Sequence, residues 1–193
     1  MSDNFIMKNS SCISNETCEF MIDFFNKNES AATKGGAGRE PLDDLEIPIN
    51  VYKFHDNLVL GLSDTIEKYK ERYPLVDTLG KWKVDTYAQL MRYESGDVYN
   101  LIHCETGVYT PYRIFAWMIY LNTIKDGGGT EFIHQNFITN PIAGDMYIWP
   151  AGWTHMHCGV VAPHERKYIL TGWVSNEARI TIQPVHLQEL TEI

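Results

Sequence analysis

Two segments in the first part of the chain repeat apolar residues at the spacing of one helical face. The segment SNETCEFMIDFFNKN begins with the capping residues Ser14 and Asn15. Its apolar stripe is Cys18, Met21, Ile22 and Phe25. The segment HDNLVLGLSDTIEKYKERYP stops at Pro74, which cannot continue a helix. Its stripe is Leu58, Leu62, Ile66, Tyr69 and Tyr73. These patterns predict two helices that pack against a core.

The segment between the two helices, ESAATKGGAGREPLDDLEIP, is rich in glycine, alanine and charged residues. Such a composition predicts a loop, here over residues 29–48, which is unusually long for a compact domain. A long loop of this kind is a candidate lid over a binding site.

From Lys81 onward the pattern changes to that of strands. The segments KVDTYAQLMRY, RIFAWMIYLN, DMYIWP and KYILTGWV are rich in aromatic and β-branched residues, and they are separated by ESGD, KDGGGT, NPIAGD and APHER. RIFAWMIYLN is apolar on both of its alternating faces, which predicts a central strand with one face on the helices and the other lining a cavity. We therefore expect an α+β fold, mainly β, built as an antiparallel sandwich or barrel.

Composition favours one domain, because 193 residues with 44% hydrophobic content suffice for one sizeable core. We expect a single domain over residues 1–193, with mainly helical support in 1–80, a β core in 81–175 and a C-terminal extension in 176–193. The four cysteines show no CxxC pairing and are interpreted as reduced thiols.

The formal net charge of -9 and the pI of about 5.2 argue against nucleic acid as a partner, because nucleic-acid binders usually carry a basic patch. An acidic surface is compatible with a basic peptide. The N-terminus MSDNFIMKNS does not have the pattern of a signal peptide, and no apolar run approaches the roughly 18 residues of a membrane span. A cytoplasmic protein without a membrane partner is expected.

The stretch YNLIHCETG contains the first candidate site. On an extended segment, residues two apart point the same way, so His103 and Glu105 can converge on one cation while Cys104 points to the opposite face. The segment WTHMHCGVV offers His155 or His157 as a third ligand. Two histidines and one carboxylate leave other metal positions open, which is the arrangement of non-heme Fe(II) oxygenases. An isolated H-x-E is a weak signal by itself.

A second candidate lies in KYILTGWV, where Lys167, Ile169, Thr171 and Trp173 share one face of the predicted strand. A cation at the inner end of a largely apolar cavity is costly unless an anion meets it. A dicarboxylate cosubstrate would be such an anion.

Residues 87–175 carry these motifs in a fixed order: YESGDVYNLIHCE, YLN, GGGTEF, NPIAGDMYIWP, HCGVV and KYILTGWV. In this order they resemble the Fe(II)- and 2-oxoglutarate-dependent dioxygenases, in particular small microbial or phage-type members of the prolyl 4-hydroxylase-like branch. The resemblance implies a double-stranded β-helix, a jelly-roll or cupin-like barrel, with the N-terminal helices packed on its major sheet. It also implies a catalytic β core whose active site lies inside the barrel mouth.

The resemblance implies that the iron ligands are His103, Glu105 and His157, and that Lys167 binds the distal carboxylate of 2-oxoglutarate. The other residues that it places in the cosubstrate pocket are Tyr93, Tyr120, Thr130 and Trp173. His157 is preferred to His155 because it lies ten residues before Lys167, whereas the same count from His155 reaches Glu165, which would repel a carboxylate. The exposed positions of His134 and His164 are expected to be unrelated to the metal.

Two features depart from the family pattern. Glu105 stands where the family more often has Asp, so the extra methylene shifts the carboxylate. One additional residue separates Tyr99 from His103.

The activity that the resemblance implies is hydroxylation of a prolyl residue in a peptide or protein, with O2 consumed and succinate and CO2 released. Fe(II) and 2-oxoglutarate are the expected cofactor and cosubstrate, and ascorbate is a candidate reductant. Two alternatives remain at this point: an oxygenase of a free amino acid or another small molecule, and a cupin-type metal-binding barrel that uses no oxo acid.

Overall fold

The computed structural model describes residues 3–34, 43–48 and 55–177. Within these residues two α-helices are present, α1 (Asn15–Lys27) and α2 (His55–Arg72), with short 3-10 helices at Glu29–Ala31, Pro74–Leu79 and Trp153–His155. The strands are β1 (Met7–Asn9), β2 (Thr33–Lys34), β3 (Asp43–Pro48), β4 (Trp82–Val84), β5 (Tyr87–Tyr93), β6 (Arg113–Tyr120), β7 (Thr130–Phe132), β8 (Phe137–Ile138), β9 (Met146–Pro150), β10 (His157–Gly159) and β11 (Lys167–Asn176).

Both predicted helices are confirmed. The Ser14 hydroxyl accepts a hydrogen bond from the Thr17 backbone N–H at 3.1 Å, which satisfies one free donor at the start of α1. α2 ends at Arg72, just before Pro74, as the missing N–H of proline requires. Of the described helices, none is long and apolar enough to cross a membrane.

The strands form two antiparallel sheets. Within the described residues, the major sheet has the order β1-β9-β6-β11-β5-β3-β2, with β4 also paired to β11, and the minor sheet has the order β10-β7-β8. β6 lies between β9 and β11 at the centre of the major sheet, as its apolar sequence predicts.

The two faces of β6 belong to different cores. One face contributes Phe115, Trp117 and Ile119 to a cluster that includes Met21 of α1 and Leu58 of α2. The opposite face contributes the buried residues Ala116, Met118 and Tyr120 to a second cluster with Phe132 of the minor sheet and Trp149 of β9. The helices therefore cover the outer face of the major sheet, and the inner face meets the minor sheet.

The prediction of a loop throughout residues 29–48 is wrong. Residues 43–48 form β3, which pairs with β5 along its whole length and buries Leu45 and Ile47. These two side chains alternate with Asp44 and Glu46, a period of two that indicates a half-buried strand. Residues 35–42, which contain the glycines of the expected lid, lie outside the described residues.

Candidate metal and cosubstrate site

Backbone pairing brings the ends of two segments together at the inner face of the major sheet. His103 and His157 form an isolated antiparallel bridge, in which each backbone N–H donates to the carbonyl of the other, at 3.0 and 2.9 Å. The next turn of the chain is held by Ala151, whose carbonyl accepts from the backbone N–H of Glu105 at 2.9 Å. The pairing places both imidazoles beside the Glu105 carboxylate.

The three side chains form one compact group of donor atoms. A ligand atom from each of His103, Glu105 and His157 lies within 4.8 Å of the others. Glu105 Oε1 is 3.5 Å from His103 Nε2 and 3.4 Å from His157 Nε2. The Cys104 side chain points away from these donor atoms, and its Sγ donates to the carbonyl of Thr106 at 3.3 Å.

The protonation of the two imidazoles suits a metal. His103 Nδ1 is 2.8 Å from the carbonyl of Leu101, and His157 Nδ1 is 2.9 Å from the carbonyl of His155. A carbonyl only accepts, so Nδ1 carries the proton in each neutral ring and Nε2 presents a lone pair. The two lone pairs and the carboxylate form an N2O donor set, which fits a divalent transition metal such as Fe(II).

Electrostatics keep the carboxylate ionised. Burial alone would raise the pKa of Glu105, but the interactions with His103 and His157 outweigh it and hold this pKa well below its usual range. Burial likewise opposes the charged form of His103, yet the Glu105 carboxylate raises the pKa of that imidazole. A metal that binds here therefore competes with a proton for His103.

His155, the alternative third ligand, lies outside this group of atoms. Its Nε2 is 3.0 Å from the carbonyl of Asn4, and its Nδ1 is 3.0 Å from the hydroxyl of Thr154. Both ring nitrogens thus have hydrogen-bond partners away from Glu105, and the ring is buried with 4% exposure. His134 and His164 are exposed.

Lys167 lies at the other end of the site, at the start of β11. Its side chain is 4% exposed, its Nζ donates to the carbonyl of Gly128 at 3.2 Å, and the Tyr93 ring centroid is 4.4 Å away. Within the described part of the chain no carboxylate pairs with it, and burial lowers the pKa of Lys167 to about 8. A buried ammonium without a counter-ion is the expected mark of an anion site.

Tyr93 and Thr130 line the same cavity as Lys167, whereas Tyr120 is buried next to Thr130. The Tyr93 hydroxyl is directed at the Met91 sulfur, at 3.7 Å, and Thr130 lines the cavity. Tyr120 is fully buried and is not a lining residue; its hydroxyl lies 3.3 Å from that of Thr130 and 2.6 Å from that of Thr139. Tyr120 therefore fixes the position of Thr130.

Trp173 contacts the metal end of the site. It follows Lys167 by six residues, or about 20 Å of extended strand, and its Nε1 donates to Glu105 Oε2 at 2.7 Å. Trp173 lines the same cavity as Lys167, as expected, and in addition contacts the Glu105 carboxylate.

Sequence reasoning missed Arg113 at the start of β6. Its guanidinium lies 3.5 Å from the centroid of the Trp173 ring and 3.5 Å from Glu105 Oε2. The remainder of β6 is apolar, and the seven residues between Glu105 and Arg113 conceal the proximity of the two side chains. A cation at the end of a cavity-lining strand was the available signal.

One cavity of about 310 Å³ joins the two ends. The residues that line it between the Lys167 end and the Glu105 end are Gln89, Met91, Met118, Ile169 and Thr171, with Asp44, Tyr99, Trp149 and Gly159 at its sides. This volume lies at the lower limit of small-molecule pockets, which are about 300 to 1,000 Å³.

Comparison with known proteins agrees with this geometry. Residues 88–175 match the model of the 2OG-Fe(II) oxygenase superfamily. The match covers 88 of the 193 residues and supports, for this part of the chain, the class of 2-oxoglutarate-dependent dioxygenases. The alternative of a cupin-type barrel that uses no oxo acid does not fit that match. Among curated proteins, none matches the sequence.

Solved structures with this fold include three prolyl hydroxylases. A prolyl 4-hydroxylase from Pseudomonas putida has a TM-score of 0.68 at 13% identity, over 90% of this chain and 94% of that chain. A viral collagen prolyl hydroxylase from Paramecium bursaria Chlorella virus-1, in its 2OG complex, has a TM-score of 0.67 at 15% identity, over 90% and 97%.

A third structure contains a peptide. A prolyl hydroxylase from Trichoplax adhaerens, in complex with a hypoxia inducible factor oxygen degradation domain peptide fragment, has a TM-score of 0.66 at 14% identity, over 90% of this chain and 84% of that chain. These likenesses confirm the predicted double-stranded β-helix.

Proposed function

We propose that the protein hydroxylates a prolyl residue of a peptide or protein, with 2-oxoglutarate converted to succinate and CO2. The observation that carries the proposal is one cavity with a cation-binding group of atoms at one end and a buried, unpaired ammonium at the other. A dicarboxylate reaching from Lys167 towards the metal would satisfy both ends.

In this proposal His103, Glu105 and His157 hold Fe(II). The bound metal supplies the redox chemistry by which O2 and 2-oxoglutarate are consumed and a C–H bond of the substrate becomes C–OH. The three residues would hold the metal through Nε2 of the two histidines and Oε1 of the glutamate, and a donor set of two histidines and one carboxylate would leave open positions for small ligands.

Lys167 and Tyr93 bind the distal carboxylate of 2-oxoglutarate. The Lys167 ammonium then gains the counter-ion that the described residues do not provide. Tyr93 contributes a hydroxyl whose present partner is a thioether, a weak acceptor, so a carboxylate oxygen is a better one. Thr130, fixed by Tyr120, forms a third polar contact at this end.

The prolyl substrate is supported by the fold of the three prolyl hydroxylases, one of them bound to a peptide fragment. A peptide is also compatible with the side of the cavity where Asp44 of β3 lies, because a carboxylate there favours a basic neighbour of the target residue. We include 1–193 as one catalytic domain in this proposal.

The test is an assay of Fe(II)-loaded protein with 2-oxoglutarate, O2 and ascorbate, in which succinate is measured with and without proline-containing peptides. We expect peptide-dependent succinate and a gain of one oxygen atom on proline by mass spectrometry. Peptides with and without lysine or arginine beside the proline test the basic preference.

Controls separate the parts of the proposal. Succinate formation that needs free proline or another small molecule, and that no peptide stimulates, would replace the peptide substrate and retain the oxygenase. Protein that binds Fe(II) but does not bind 2-oxoglutarate would contradict the assignment of Lys167.

A further inference from the structure

The Glu105 carboxylate has two oxygens with different surroundings. Oε1 lies 3.5 and 3.4 Å from the two histidine Nε2 atoms. Oε2 accepts the indole N–H of Trp173 at 2.7 Å and is 3.5 Å from the Arg113 guanidinium. One oxygen therefore faces the metal position, and the other is held by groups that cannot be metal ligands.

A glutamate needs such a contact more than an aspartate does. Its side chain has one more rotatable bond, so more conformations must be given up before the carboxylate reaches the metal. A hydrogen bond from a neutral N–H to an ionised carboxylate is among the stronger contacts of this kind. Partners of this type orient metal ligands and influence metal affinity.

Trp173 is itself held in place. Its backbone pairs with Ala116 of β6, and the Arg113 guanidinium lies 3.5 Å from the centroid of its ring. The strand pairing shifts between Val174 and Ser175, so that Val174 pairs with Phe115 and Ser175 pairs with Arg113 rather than with Ile114. The bulge and the stacked guanidinium fix the ring that donates to Glu105.

We propose that Trp173, stacked on Arg113, is a positioning residue that holds Oε2 of Glu105 and thereby allows a glutamate to act as the carboxylate ligand through Oε1. The inference rests on the proposed metal site and goes beyond it, because it assigns a role to a residue that need not touch metal, cosubstrate or substrate.

The test is a Co(II) titration of the full-length protein by calorimetry at fixed pH, without substrate. Trp173→Phe keeps an aromatic ring and removes the N–H, and it is expected to weaken Co(II) about 10-fold, at the lower end of the 10- to 100-fold cost of losing an outer partner. The matched control is Trp149→Phe. Trp149 lines the same cavity with its ring 5.3 Å from that of His157, but its buried Nε1 has no hydrogen-bond partner in the described part of the chain.

A double-mutant cycle tests whether Trp173 influences Co(II) affinity through Glu105. In a Glu105→Asp background the shorter side chain cannot span both the metal position and Trp173. Trp173→Phe should then change Co(II) affinity by less than about threefold, because the interaction that it removes is already lost. An equal loss in both backgrounds would overturn the proposal, since the effect would not pass through Glu105.

A second measurement does not depend on how well Trp173→Phe folds. One of the five indole N–H signals in the 1H–15N spectrum should exchange slowly with solvent in the native protein. That signal should shift and lose its protection in Glu105→Ala, while the other indole signals remain unchanged. If none of the signals responds to Glu105→Ala, the proposal is overturned.

The outcomes also distinguish this inference from the proposed function. Native protein that fails to bind Co(II) removes both the metal site and the positioning role. Native protein that binds Co(II) with the same affinity as Trp173→Phe removes the positioning role alone.

Discussion

The two ends of the active-site cavity differ in how their charges are satisfied. At the metal end, Glu105 has four partners within the protein: two imidazoles, an indole and a guanidinium. At the other end, the Lys167 ammonium has one carbonyl at 3.2 Å and an aromatic ring. At the metal end the side chains already hold the Glu105 carboxylate in place without a metal. At the cosubstrate end the Lys167 ammonium has no carboxylate partner among the described residues.

This difference has a physical consequence for each ligand. A metal enters a group whose geometry is already fixed, so its affinity depends on the ligand atoms and their outer partners. A dicarboxylate gains affinity chiefly because it removes the cost of burying Lys167. Substitutions at the two ends should therefore affect different quantities.

The largest effect is expected at the metal end. His157→Ala removes one of three ligand atoms and should weaken Co(II) or Fe(II) by more than the roughly 100-fold that loss of an outer partner can cost. His155→Ala is the matched control, because its ring nitrogens contact Asn4 and Thr154 instead. Calorimetric titration of both variants checks this, and the opposite ranking would assign the third ligand to His155.

Glu105→Ala tests the carboxylate among the three proposed metal ligands. Two imidazoles remain, so weak metal binding should persist, while turnover is lost because the carboxylate no longer completes the site. Substrate-dependent succinate formation at the native rate in this variant would contradict the assignment of Glu105 as a metal ligand.

The next effect is at the cosubstrate end. Lys167→Ala removes a charge-assisted contact worth about 2 to 3 kcal/mol, which should weaken 2-oxoglutarate roughly 30- to 150-fold. Metal affinity should be nearly unchanged, and Lys167→Arg should be milder because the charge remains on a bulkier planar group. A titration of 2-oxoglutarate into anaerobic Fe(II) protein, followed by metal-to-ligand absorption, measures the change. An unchanged dissociation constant would remove Lys167 from the site.

The cost of burying the Lys167 ammonium also predicts that removing this charge increases the free energy of unfolding. A fall in the pKa of Lys167 from 10.5 to about 8 corresponds to about 3 kcal/mol. Because the folded-state pKa is lowered, this cost is fully present below pH 8 and disappears as the pH rises through 10.5. Lys167→Met avoids it and loses a hydrogen bond of about 1 kcal/mol to Gly128. We expect the ligand-free variant to be about 2 kcal/mol more stable at pH 7.

Denaturant unfolding of the metal-free protein tests that gain. The advantage of Lys167→Met should shrink as the pH rises from about 8 and vanish above 10.5, where the native lysine is neutral in both the folded and the unfolded state. Lys68→Met is the surface control, since Lys68 forms an exposed pair with Asp64 and its loss should have little effect. If Lys167→Met is less stable than the native protein at pH 7, burial of the Lys167 ammonium does not destabilise the ligand-free fold.

The loss of the Lys167 proton at high pH should also lower the affinity for 2-oxoglutarate. With the metal saturated, the proposed contact with 2-oxoglutarate requires the charged form of Lys167, which declines in the free protein as the pH rises through about 8. The affinity should fall about tenfold between pH 7 and pH 9. Lys167→Arg should show no such fall, because guanidinium remains charged. An equal fall in both proteins would place the titrating group elsewhere.

The two ends also differed in how well the sequence predicted them. His103 and Glu105 stand two residues apart on an extended segment, and Lys167 opens an apolar strand, so local spacing was informative. The contacts around Glu105 come from Trp173 and Arg113, which depend on how β11 and β6 pair. Local patterns carry no information about such pairings.

The choice between His155 and His157 shows the same limit. Spacing to Lys167 favoured His157, but the physical reason is the hydrogen bond of His155 to Asn4, which is 151 residues away in the chain. β3 is the opposite case, because the alternation of Asp44, Leu45, Glu46 and Ile47 was visible and the glycine-rich neighbourhood masked it. Long-range contacts, rather than periodicity, decide the details of the site.

The smallest expected effect compares one hydroxyl at each end of the cavity. Within the described residues the Tyr93 hydroxyl donates only to Met91 Sδ, a weak acceptor, so a carboxylate near Lys167 should accept a hydrogen bond from it. Tyr93→Phe should cost about 1 kcal/mol, or roughly fivefold in 2-oxoglutarate affinity. Tyr99→Phe makes the same chemical change beside His103, where the two ring centroids are 5.0 Å apart. It should leave 2-oxoglutarate affinity unchanged, and equal losses in the two variants would mean that the acid does not reach the Lys167 end.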